Sequence, residues 1–144
     1  MDTKEFLKHI DQDRIVKAIQ QAESLSSAEL RVFVTRQQVS DPVAAGKEQF
    51  QKLGMHKTAS RNGVLIFVAP GSQMFSILGD EAIHSHCGDG FWQNVAGSMK
   101  SHFQHGEFTD AIEHGIHEAG RLLAEHFPRS KDDMNELPDH VGHD

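Results

Sequence analysis

The chain carries a single cysteine, Cys87, among 144 residues. One thiol excludes an internal disulfide, so no covalent cross-link supports the fold. Basic residues are also scarce: 14 Lys and Arg stand against 21 Asp and Glu, a formal charge of −7 with histidine neutral. Affinity for nucleic acid comes largely from clustered Lys and Arg that release counterions, so this balance argues against nucleic acid and anionic membrane as partners. No run approaches the roughly 20 apolar residues of a spanning helix, and membrane insertion is not expected. Residues 1–13 are charged rather than apolar, unlike a secretion leader, and the expected location is cytoplasmic.

What remains is enough for one domain, because a chain of this length hides roughly two thirds of its unfolded surface without help from disulfides or a structural metal. The 11 histidines are spread widely. Imidazole is the side chain whose charge changes most readily near neutral pH, so the negative charge is expected to fall in magnitude on mild acidification.

Apolar residues Ile15, Val16, Ile19 and Ala22 recur at steps of three and four and predict a helix, with Asp11 or Asp13 as its cap. Phe6, Leu7 and Ile10 suggest an earlier turn beside it. Leu30, Val32 and Val34 alternate with Arg31, Phe33 and Thr35, as in a strand. Ser26 and Glu29 match a capping-box spacing, which the period-two run that follows contradicts. Ser40, Asp41 and Pro42 open a second helix, which Gly54 can end. The run at 64–69 has no alternation and reads as a strand covered on both faces. Residues 70–72 turn the chain into a returning strand at 74–78, making a hairpin. Phe91, Val95, Met99 and Phe103 mark a third helix; Phe108, Ile112, Ile116, Ala119 and Leu123 mark a fourth that stops near Pro128.

These elements predict an α/β domain over residues 1–127 and a polar, mobile tail over 128–144. In the tail, Met134 and Leu137 are the residues able to dock. The topology has one geometric consequence. Because the hairpin's second strand runs back along the first, Gly79, Asp80 and Glu81 return toward the loop at 58–62, and the two segments meet at one edge of the sheet.

Several short motifs, in order, carry a resemblance. Ala28-Glu29-Leu30-Arg31-Val32 enters a strand; Arg61-Asn62-Gly63-Val64-Leu65-Ile66 enters the central one; Ile77-Leu78-Gly79-Asp80, Gly90-Phe91-Trp92 and Gly106-Glu107-Phe108 follow. Together they resemble the TPM domain family over about residues 15–127. The resemblance implies an α/β/α sandwich with a mixed, mostly parallel central sheet plus an antiparallel hairpin strand. Plant members of that family are thylakoid-lumen proteins described as acid phosphatases, and some bacterial members bind calcium in a crevice at the sheet edge. Calcium is therefore the cofactor the resemblance implies, with Asp80, Glu81 and Asp89 as its candidate ligands. Arg61 stands where the metal-binding members often have an aspartate. A guanidinium there opposes a hard cation, which wants several oxygen ligands at about 2.3 to 2.6 Å.

The residues themselves leave two readings at each cluster. Asp80, Glu81, His84, His86, Cys87 and Asp89 either hold a divalent metal or form a polar helix start; His-x-His-Cys is not a zinc spacing. Lys57, Thr58, Arg61 and Asn62 either bind a small anionic ligand through the guanidinium fork, or Arg61 pairs with Asp80 or Glu81 across the edge. Cys87 reads as a small packed residue, since no partner for a nucleophile is evident. His114, His117 and Glu118 share a helix face that reads as solvated. The resulting expectation is a binding or accessory module with a sheet-edge crevice, taking a protein segment or small anion. The alternative is a calcium- or magnesium-dependent acid-phosphatase-like hydrolase.

Overall fold

Every residue of β2 (Gly63–Ala69) is buried, and the sheet is built around it. In the computed structural model, which describes residues 1–58, 61–87, 89–129 and 140–144, β1 (Glu29–Val34) lies parallel beside β2, with Leu30 opposite Val64 and Val34 opposite Val68. β3 (Met74–Gly79) is antiparallel on the other side, with Val64 opposite Gly79 and Ala69 opposite Met74. A tight 3-10 turn at Pro70–Ser72 links the two, and Gln73 completes it at φ 53°.

The strand period of two divides the sheet's side chains between two cores. Leu30, Val32, Val34, Val64, Ile66, Val68 and Ile77 face one side. There they meet Ile15 and Ile19 of α2 (Gln12–Leu25), Met99 of α5 (Gln93–Gln104), and Ile112, Ile116 and Leu123 of α6 (Phe108–His126). Phe33, Leu65, Phe67 and Leu78 face the other side, against Phe50 of α3 (Pro42–Lys52) and Met55 in the 3-10 turn that follows it. Gly46 lets α3 lie close on β3: a Cβ there would collide with Leu78 and come within 2.8 Å of Ser76 Oγ.

Local chemistry sets the helix starts. The Asp11 carboxylate accepts the Arg14 amide, and the Asp41 carboxylate accepts those of Val43 and Ala44, with Pro42 harmless in the first turn. The suggested earlier turn is a full helix, α1 (Thr3–His9), whose Phe6 is buried and whose Thr3 Oγ1 donates to the Thr35 carbonyl at 2.7 Å. Ser26 caps no helix start; it ends α2, its Oγ accepts the Ala28 amide, and Glu29 begins β1.

Composition predicts a loose tail over 128–144, and its final residues differ from that expectation. Gly142–His143 forms β4, parallel to β1, giving the sheet order β3-β2-β1-β4. Val141 is buried in the larger core, and the Asp144 carboxylate accepts from Thr35 Oγ1 at 2.6 Å and the Arg36 amide at 2.8 Å. Two paired residues are too few to show alternation, so nothing in the pattern announces them. Residues 130–139, with Met134 and Leu137, lie outside the described residues. Among the described residues no helix is long and apolar enough to cross a membrane.

The double cover of β2 makes it the segment least tolerant of truncation. Ile66 is fully buried, and Ile66→Ala should cost about 2 to 5 kcal/mol, as buried large-to-small changes do. Urea denaturation monitored by circular dichroism checks this; an unchanged midpoint would contradict burial on both faces.

Candidate functional site

The loop that opens β2 and the residues that follow β3 are joined by backbone bonds. The Asp80 amide donates to the Gly63 carbonyl at 3.0 Å and the Ala82 amide to the Arg61 carbonyl at 3.1 Å. α4 (Glu81–Cys87) starts directly from this junction. The segments meet as the hairpin topology requires.

Arg61 is the centre of the junction. Its backbone is left-handed, φ 51°, a region that residues other than glycine rarely occupy. From there Nε donates to Asp80 Oδ2 at 2.9 Å and Nη2 to Oδ1 at 3.0 Å, a two-pronged pairing of guanidinium with carboxylate. Nη1 lies 3.5 Å from Glu81 Oε2. The Asp80 side chain is 6% exposed, Arg61 42% and Glu81 75%, so the pair runs from the interior out to solvent. Asp80 Oδ1 also accepts the Glu81 amide at 2.8 Å. Both oxygens of Asp80 are thus engaged by this chain. The hydrogen bond to Asp80, aided by attraction to Asp80 and Glu81, raises the Arg61 pKa above its ordinary value.

The other described candidates, Asn62, Thr58 and Lys57, lie apart from this pair. Asn62 is buried, and its Nδ2 donates to Ser27 Oγ at 3.2 Å, tying the loop to the entry of β1. Thr58 is buried with no hydrogen-bond partner on its Oγ1 among the described residues, and its carbonyl accepts the Arg61 amide at 3.3 Å. Lys57 is exposed and makes no ion pair among the described residues. The backbone of Asp89 opens a 3-10 turn, Asp89–Trp92. The side chains of Asp89, His84, His86 and Cys87 lie outside the described part of the structure. Among the described residues, no three His, Cys, Asp or Glu side chains form a group able to hold a metal ion.

On α6, His117 Nε2 is 3.9 Å from Glu113 Oε1, and Arg121 donates to Glu118 at 2.9 Å. That bond holds the Glu118 carboxyl below its usual range. The His114 ring lies 5.5 Å from that of His102 on α5, whose Nδ1 is 3.0 Å from Glu107 Oε1. These are partly exposed pairs along a helix face. Arg31 has a buried Nε with no partner among the described residues, its Nη2 lies 3.5 Å from His140 Nε2, and burial lowers its pKa. Its alternation with apolar neighbours marks it only as a strand residue.

Comparison with known proteins follows this geometry. The family model described as the TPM domain matches residues 1–122. The NMR structure of BA42 protein from the psychrophilic bacterium Bizionia argentinensis is similar to the chain at 34% identity and a TM-score of 0.86. The alignment covers 100% of this chain and 96% of that one. No curated protein matches. A family match over most of the chain, joined to a similar structure across its whole length, shows that the chain belongs to the TPM domain family.

Proposed function

We propose that this chain is a binding or accessory module, acting in the cytoplasm, whose contact surface lies where Arg61 and Asn62 meet residues 79–81. The observation that carries this reading is the two-pronged Arg61–Asp80 pair. A calcium site needs several free oxygens at about 2.3 to 2.6 Å. Here the most enclosed carboxylate already holds a tethered cation, and its neighbour Glu81 is 75% exposed. The residues described therefore do not suit calcium or magnesium. Because Asp80 and Glu81 offset the charge of Arg61, a small anion would meet Lys57 as the less encumbered cation, while a protein segment would meet the outer face of the guanidinium.

The hydrolase reading rests on family resemblance. A phosphoryl-transfer site needs a nucleophile or activated water, together with groups that stabilise charge on the transferring oxygens. The described residues at the junction offer a neutralised ion pair instead.

The pair should behave as a unit. Arg61→Gln strands a buried carboxylate next to Glu81, whereas Arg61→Gln with Asp80→Asn removes the stranded charge and leaves an amide to accept from the Glu81 amide. The single variant is therefore expected to unfold at lower urea concentration than the double variant. Equal midpoints would mean that the pair is solvated and contributes nothing.

Calcium titration followed by NMR, with magnesium and phosphate as controls, tests the binding reading directly. Wild type is expected to show no micromolar calcium site, and Arg61→Asp to tighten calcium binding by about tenfold or more as a cation is exchanged for an oxygen donor. Micromolar binding by wild type, or no gain in the variant, would overturn the role given to Arg61.

Hydrolysis of an aryl phosphate is expected to show no turnover that depends on this junction. The assay compares wild type with Asp80→Asn, Asp89→Asn at mildly acid and neutral pH, with calcium, magnesium or neither. Turnover lost in a folded double variant would promote the hydrolase reading over the module.

A further inference from the structure

β1, β2 and β4 run parallel, so their carboxyl ends lie together at the end of the sheet opposite the Arg61 junction. In open α/β sheets that end is where ligands are usually received. Here a partly open cavity of about 550 Å³ is lined by Val68, Ala69 and Pro70 at the carboxyl end of β2. This volume falls within the roughly 300 to 1,000 Å³ typical of small-molecule pockets.

Aromatic rings from four elements of the chain build one wall. Phe6 of α1 lies 5.2 Å from Phe108 of α6, Phe108 lies 6.4 Å from Phe103 of α5, and Phe103 lies 5.0 Å from Phe75 of β3. All four rings line the cavity. Three of them, Phe75, Phe103 and Phe108, remain only partly buried although each packs against the larger core. A run of half-covered rings around one concavity is apolar surface that the fold itself leaves unfilled.

The polar groups at the mouth have one sign. Among the described residues Lys100 is the one charged side chain lining the cavity, beside Met1 with its terminal ammonium; Lys100 is exposed and makes no ion pair among the described residues. Among the described residues no carboxylate lines the cavity, in a chain that carries 21 acids against 14 Lys and Arg. Gln73 and Gln104 are the other polar residues of the lining. An apolar body against the phenylalanines and a negative head at Lys100 would satisfy both features.

We propose that this cavity is a binding site for a small hydrophobic carboxylate, with an alkyl or aryl body on the Phe6, Phe75, Phe103 and Phe108 wall and its carboxylate at Lys100. The site is separate from the Arg61 junction and does not depend on how that junction is used.

Octanoate, with 1-octanol as the neutral counterpart, tests it on the whole chain by NMR. Octanoate is expected to give saturable amide shifts in residues 67–75 and 100–108. Lys100→Gln should weaken octanoate by about fivefold, the scale of one exposed charge contact, and leave 1-octanol unchanged. Phe103→Leu, which keeps an apolar side chain and should preserve the fold, should weaken both. Shifts confined to other surfaces, no saturation at millimolar octanoate, or an equal effect of Lys100→Gln on acid and alcohol would each overturn the proposal.

Discussion

The fold depends on one strand that has no exposed face. All seven residues of β2 are buried, so the chain must cover both sides of the sheet and place a strand along each edge of β2. The two covers are unequal. α2, α5 and α6 form a broad layer over one face with fully buried Ile15, Ile19, Met99, Ile112 and Ile116, while α3 covers the other and relies on Phe50 and the close approach at Gly46. The hairpin return of β3 then places Asp80 beside the entry of β2. The junction at Arg61 thus follows from the demand that β2 be enclosed.

How much of this was legible depended on how much sequence each feature occupies. The long periodic stretches of α2, α5 and α6, the unbroken apolar run of β2 and the Asp41-Pro42 start of α3 each extend over several residues, so their patterns survive local exceptions. β4 does not: it is two residues whose stability comes from Val141 in a distant core and from Asp144 reaching Thr35 and Arg36. Contacts made about 108 positions apart leave no local trace. α1 was visible only as a turn, because its docking contact, Thr3 with the Thr35 carbonyl, is likewise remote in sequence.

The candidate residues divide in the same way. Pairing of Arg61 with Asp80 could be anticipated because the hairpin alone brings 58–62 to 79–81, whatever the side chains do. Which neighbours would stay out of that pairing could not be read, since it turns on single side-chain directions. Asn62 turns inward to Ser27, Thr58 is buried, and Lys57 stays in solvent. Among the described residues, this polar loop therefore presents one guanidinium at the junction rather than a converging set.

A guanidinium differs from a bound cation in what it demands of the protein. It is tethered, so it costs no free ligand, but its two donors must meet the carboxylate in one plane at hydrogen-bond distance, here 2.9 and 3.0 Å. That requirement reaches back into the main chain: Arg61 sits at φ 51°, and its carbonyl is held by the Ala82 amide. The same carboxylate accepts the Glu81 amide at the start of α4. One side chain consequently links the entry of β2 to the start of the following helix. Exchanging it would alter the geometry of α4 as well as the local charge, which is why a carboxylate at position 61 would have to recruit a cation to restore the connection that Arg61 makes directly.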